Sequence, residues 1–215
     1  MIVVEASAEA YVLRCAGLEF SFRFVGDRWH HFVSAVQNGS SLPLFASSEG
    51  TATDVVLPSP AFQDLRFEEL REGVFEFQLL GQAGKGVYSA AVRFDGQERS
   101  ITFDVCARGR SNDMPLCIAS RYFLAEGIAT PIVQPGQNGL IIRKNEARPI
   151  EIVPTVIPGH PGTECRLIGD ESSRQILAGF SDSLRLEPTP KGMSVRWAYL
   201  IRAVPGQLDR GESDP

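Results

Sequence analysis

Between Val74 and Ala107, apolar and polar residues alternate through three consecutive segments. This alternation constrains the fold more than any other feature of the chain. Phe75, Phe77 and Leu79 alternate with Glu76 and Gln78. Tyr88, Ala90, Val92 and Phe94 alternate with Ser89, Ala91 and Arg93. Ile101, Phe103 and Val105 alternate with Thr102, Asp104 and Cys106. A period of two belongs to a strand with one buried face. The segments 74–80, 87–94 and 101–107 are therefore expected to form an antiparallel meander. Pairing across loop 81–86 sets Leu79 against Tyr88, Phe77 against Ala90 and Phe75 against Val92. Pairing across 95–100 sets Phe94 against Ile101, Val92 against Phe103 and Ala90 against Val105. A slip of one residue would turn the whole apolar set to water, so the pattern fixes the parity of the register.

The first turn, Gly81 to Gly86, holds three glycines and a lysine. A phosphate-binding loop needs Gly, four residues, then Gly-Lys-Ser/Thr, and a helix after it. Here the position five before Gly84 is Leu79, the residue after Lys85 is Gly86, and a strand follows. The glycines also fail the GxGxxG spacing of dinucleotide sites. The loop is a hairpin connection, and no cofactor is expected.

The rest of the chain repeats the strand pattern. Residues 10–15 make a short strand, and Leu18, Phe20, Phe22 and Phe24 mark a clearer one. The segment 28–37 fits two templates. Trp29, Phe32, Val33 and Val36 have helical spacing, but the tight Gly26-Asp27 turn favours a strand that sets Trp29 opposite Phe24. Asn38-Gly39-Ser40 has the form of a glycosylation sequon and reads as a turn. Residues 40–54 read as loop. Ser59-Pro60 offers a helix start, giving a short helix to Leu70, with a strand over 65–70 as the alternative. Residues 115–124 read as a strand. Six prolines then fall between 131 and 161. Within that zone 139–143 and 149–153 are short strand candidates, and a sub-boundary is conceivable at 126–138. Strands are expected again at 165–168, 176–180, 184–187 and 194–204. In the last, Val195, Trp197, Tyr199 and Ile201 share one side. The expected architecture is all-β: a single antiparallel β-sandwich over 1–205 with short peripheral helical turns, followed by a disordered polar tail at 206–215.

A chain of 215 residues can bury such a core without covalent staples. Its net charge is −5 and it has no basic run, which argues against nucleic acid. No stretch approaches 18 apolar residues, and the first residues lack the apolar core of a secretion signal, so a soluble cytoplasmic protein is expected. The four cysteines form no CxxC pair and read as reduced thiols, with a Cys106–Cys117 disulfide as the alternative.

Catalytic signatures are sparse. The histidines are His30, His31 and His160. Adjacent residues on a strand face opposite sides, so His30 and His31 do not share a ligand there. His160 and Glu164, four apart, are a weak metal suggestion without the paired short spacings of zinc sites, and no metal is assigned. No GxSxG elbow is present. The polar side of the meander carries Glu76, Arg93 and Asp104, either a solvated face or a binding platform. Tyr88, Trp197 and Tyr199 fall on inward-facing positions and are expected in the core, while Trp29 and Tyr122 are less settled. The candidate ligand contacts are therefore Trp29, His31, Tyr122, Glu76, Arg93 and Asp104. These features point to a non-enzymatic binding or interaction module with a carbohydrate or protein partner. The alternative is a sugar-directed enzyme, an isomerase or a glycoside-active protein, pairing a histidine with a carboxylate on a sandwich face.

Overall fold

The structure, a computed structural model, describes residues 2–50, 57–109, 117–128, 132–134, 139–144, 146–156, 163–168, 175–180 and 194–204. Among these residues all regular structure is strand. The strands are β1 (Val3–Ala6), β2 (Ala10–Cys15), β3 (Leu18–Val25), β4 (Arg28–Gln37), β5 (Ser40–Ser47), β6 (Asp64–Arg71), β7 (Val74–Ala83) and β8 (Gly86–Asp95). They continue with β9 (Ser100–Gly109), β10 (Ala119–Leu124), β11 (Ile132–Gln134), β12 (Gly139–Ile142), β13 (Ile150–Pro154), β14 (Thr163–Ile168), β15 (Gln175–Phe180) and β16 (Ser194–Ala203). Two eight-stranded sheets result. Sheet A runs β1-β2-β3-β4-β5-β10-β15-β14, and sheet B runs β11-β12-β13-β16-β9-β8-β7-β6. Every pairing is antiparallel. The molecule is an all-β sandwich.

The inner faces meet in one aromatic-rich core. Phe20 and Phe22 from β3 pack on Phe77 from β7, the latter with ring centres 4.9 Å apart. Phe103 and Tyr199 stack at 4.8 Å on sheet B, and Phe20 meets Phe103 edge-on across the gap. Tyr88, Trp197 and Tyr199 are fully enclosed, as their phase in the alternation requires. Burial of large rings supplies most of the favourable free energy of such a sandwich.

In the meander, β8–β9 has the expected register: Phe94 faces Ile101, Val92 faces Phe103 and Ala90 faces Val105. The β7–β8 pair is shifted by two residues. Leu79 faces Ala90, Phe77 faces Val92 and Phe75 faces Phe94. Parity is kept, so the same side chains stay inside. The shift arises because pairing continues to Ala83–Gly86, leaving a turn of only Gly84 and Lys85. Gly81 has its own reason to be glycine. A Cβ there would lie 1.8 Å from the Ala61 carbonyl oxygen, where the segment before β6 crosses close to the sheet.

Two further expectations are corrected. Residues 40–47 are the strand β5 and not a loop. Its Leu44 and Phe45 are buried, and a bulge opposite Val33 and Ser34 accommodates the extra residue beside Pro43. The helix from Ser59 does not form, and no helix is present among the described residues. Residues 57–63 are irregular and pack inward, with Trp29 N donating to Phe62 O at 2.8 Å. β6 follows, pairing Phe67 with Phe77. The segment 28–37 is the strand β4, with Phe24 opposite Trp29. Asn38 and Gly39 both have positive φ, 50° and 79°, which fits a tight two-residue hairpin turn between β4 and β5. Strands from both sides of 126–138 share each sheet, joined by the β10–β15 pairing in sheet A and the β16–β9 pairing in sheet B. The strand expected at 184–187 and the tail at 206–215 fall outside the described residues.

Candidate functional site

The six candidate contacts do not gather in one place. Trp29 and His31 are in phase with Val33 and Ala35 on β4 and point inward, and Tyr122 points inward from β10. All three are buried. Glu76, Arg93 and Asp104 lie on the outer face of sheet B, where they line a shallow groove of about 340 Å³ with Asp95, Ser100 and Thr102. Glu76 is opposite Arg93 in register. Even so, the ion pairs on this face run elsewhere. Arg196 Nε donates to Asp104 Oδ1 at 2.7 Å, Arg202 pairs with Glu151, and Glu76 accepts from Gln78 Nε2 at 3.2 Å. The Asp104 carboxylate raises the Arg196 pKa above its ordinary value.

The buried histidine belongs to a polar chain that bridges the two sheets. His31 Nδ1 lies 3.6 Å from Glu49 Oε1, and His31 Nε2 is 2.9 Å from Tyr122 Oη. Tyr122 Oη in turn is 2.5 Å from Tyr199 Oη on sheet B. The backbone N–H of His31 donates to Ser47 Oγ, and Arg28 Nη1 donates to the Glu49 carbonyl. Trp197 Nε1 donates to Ser120 Oγ beside them. Burial pushes the Glu49 carboxyl up to about 8, against the opposing pull of Ser47 and Arg28. Burial pulls His31 down to about 3, helped by the charge of His30. Burial also raises both tyrosines. His31 and Glu49 are therefore both neutral near pH 7, and at 3.6 Å His31 Nδ1 and the Glu49 carboxyl face each other without a hydrogen bond. With His31 4% exposed and Glu49 2% exposed, neither touches solvent appreciably. This arrangement has the residue types of an acid–base couple, but its chemistry is turned inward. Glu49 escaped the sequence reading, although it is the single charged residue between 38 and 53.

A different arrangement occupies the outer face of sheet A. Phe32 on β4 and Phe123 on β10 are both in register with Ala46 on β5, which lies between them. Two strand spacings put the rings about 10 Å apart, over a floor set by one methyl group. The groove between them measures about 520 Å³, and Glu19, Ser21, Arg23, Ser34 and Ser41 supply its polar lining. Phe123 is 49% exposed. The Arg23 guanidinium sits 5.3 Å from the Phe32 ring centre. Glu19 Oε2 accepts from Arg14 Nε at 2.7 Å and from Ser41 Oγ at 2.5 Å. The sequence does carry a signal for this groove. Phe32 and Phe123 are out of phase with their inward neighbours His31, Val33 and Tyr122, so they are apolar where the alternation calls for polar. Reading Phe32 into a helical spacing concealed it.

Among the described residues, no three of His, Cys, Asp and Glu cluster closely enough to hold a metal ion, and His160 lies outside those residues. Cys15, Cys106, Cys117 and Cys165 are free thiols. No helix among the described residues is long and apolar enough to cross a membrane.

No protein family matches the sequence, and no curated protein matches it. Solved structures do match the fold. The galactosidase domain of alpha-galactosidase-sucrose kinase, AgaSK, superposes with a TM-score of 0.55 at 8% identity, over 94% of this chain and 41% of that one. The heparinase III BT4657 gene product superposes with a TM-score of 0.52 at 8% identity, over 96% of this chain and 37% of that one. The chain thus spans about two fifths of each of these proteins.

Proposed function

We propose that this chain is a non-catalytic carbohydrate-binding sandwich module, with the saccharide seated in the Phe32–Phe123 groove of sheet A. The observation that carries the reading is the pair of outward phenyl rings flanking Ala46. A sugar ring presents apolar C–H faces and a rim of hydroxyls. Aromatic walls cover the former, and Ser21, Ser34, Ser41 and Arg23 meet the latter. The two structural neighbours carry carbohydrate-directed names, which agrees with the reading at the level of fold alone. The enzymatic alternative needs a histidine and a carboxylate open to a substrate. The sealed His31–Glu49 pair weighs against it.

The test is calorimetric titration of the protein with a panel of neutral and charged oligosaccharides, repeated with Phe123→Ala. Binding to at least one class is expected, weakened roughly tenfold by F123A, about 1.4 kcal/mol. Absence of binding across the panel, or binding indifferent to F123A and F32A together, would overturn the proposal.

A further inference from the structure

We infer that the ligand of this groove is an acidic saccharide whose uronate carboxylate meets Arg23. The inference rests on the carbohydrate reading of the groove and specifies its substrate class.

Charge on the groove wall is asymmetric. Its carboxylate, Glu19, is already engaged by the Arg14 guanidinium and the Ser41 hydroxyl. Its guanidinium, Arg23, makes no ion pair among the described residues and lies over the Phe32 ring. Arg23 is thus the cation of the groove lining, beside the Phe32 wall, while the one lining carboxylate is neutralised. The whole chain carries −5, so no long-range field gathers anions here. Any preference for an acidic ligand must come from local groups.

Stacking on an aromatic ring suits a guanidinium for this role. The ring holds its plane and leaves the N–H edge free, so little freedom is lost when a planar carboxylate docks with two parallel hydrogen bonds. A uronate carboxylate lies at the rim of its sugar ring, close to where a guanidinium beside the phenyl wall would point. A lysine at this position would give charge without the fork.

The experiment titrates the full chain with oligogalacturonate, oligoglucuronate and oligomannuronate. Each is compared with its carboxyl-reduced counterpart, which replaces the carboxylate by a hydroxymethyl group, and with a sulfated neutral oligosaccharide. At least one uronate is expected to bind tenfold or more tighter than its reduced form. Arg23→Gln should abolish that difference and Arg23→Lys should restore only part of it, with melting temperatures unchanged because Arg23 is exposed. Equal binding of uronate and reduced forms, or discrimination that survives R23Q, overturns this inference and leaves the carbohydrate reading standing. Tighter binding of the sulfated ligand overturns the uronate assignment. Failure of every saccharide to bind overturns both readings.

Discussion

On the outer face of sheet B, Arg196 reaches Asp104 and Arg202 reaches Glu151, each across adjacent strands. Inside the sandwich, Glu49 faces His31, and the link continues through Tyr122 to Tyr199. Both assemblies pair acids with bases, in opposite settings. The Asp104–Arg196 pair lies at the surface, open to water and salt. Glu49–His31 is shut away and resolves the cost of burial by staying neutral. Surface pairs of the first kind contribute little to stability. Inside, His31, Tyr122 and Tyr199 depend on one another's hydrogen bonds, because an orphaned polar atom in the core carries its whole desolvation penalty. The groove on sheet A matches neither pattern, since its cation Arg23 lies over the Phe32 ring and makes no ion pair among the described residues.

Removing the buried imidazole should have the largest effect. His31→Ala removes one of the two partners of the Tyr122 hydroxyl and leaves a ring-sized cavity beside Glu49, so a loss of about 3–5 kcal/mol is expected in urea unfolding. A loss under about 1 kcal/mol would mean that the chain is not held as described. Glu49→Gln keeps a neutral group of the same shape and should be mild by comparison.

The pH dependence follows from the same pair. Glu49 has a raised pKa when folded, from 4.5 to about 8, so its contribution is full at low pH and is lost as pH rises through 8. His31 has a lowered pKa when folded, from 6.5 to about 3, so its contribution is full above 6.5 and is lost as pH falls through 3. Between 4.5 and 6.5 the pair binds one proton in both folded and unfolded states, and stability from this source is flat. From 6.5 to 8 only the folded state holds the proton, and stability should fall by about 2 kcal/mol. Denaturant midpoints measured across this range would show the decline. In E49Q the decline should vanish.

At the surface, Asp104→Ala and Arg93→Ala should each change stability by less than about 1 kcal/mol. A larger loss from either would erase the contrast between the two settings. Phe123→Ala should be smallest in stability, a few tenths of a kcal/mol for a half-exposed ring, while reducing saccharide binding. A large thermal shift in F123A would mark Phe123 as a packing residue and remove the groove's claim to a separate role.

Much of the fold was legible because period-two alternation is a physical requirement of a half-buried strand. It located β3, β7, β8, β9 and β16 and placed Tyr88, Trp197 and Tyr199 inside. The two-residue shift in β7–β8 was hidden because alternation fixes parity but not the length of a glycine-rich turn. β5 was hidden because its serines, Pro43 and the bulge at Leu44 break the period. The candidate site was less legible. Trp29, His31 and Tyr122 were singled out for their chemistry, yet their phase already put them in the core. Phe32 and Phe123 were visible only as exceptions to the alternation. That exception gained meaning once β10 was known to sit beside β5, a pairing between distant parts of the chain.

That distant pairing also bears on how the molecule is made. During synthesis β1 to β5 can assemble as soon as they emerge, but the free edge of β5 then waits while the whole β6–β9 meander is produced before β10 arrives. Contacts so far apart in sequence form slowly, and a waiting edge invites pairing with other chains. β10 carries both Tyr122, the link across the core, and Phe123, the outer wall of the groove. One strand therefore carries both a link of the core and a wall of the proposed groove. If the groove binds saccharide as proposed, binding should not appear during refolding before β10 has docked on β5, which makes the ligand a reporter of that long-range pairing.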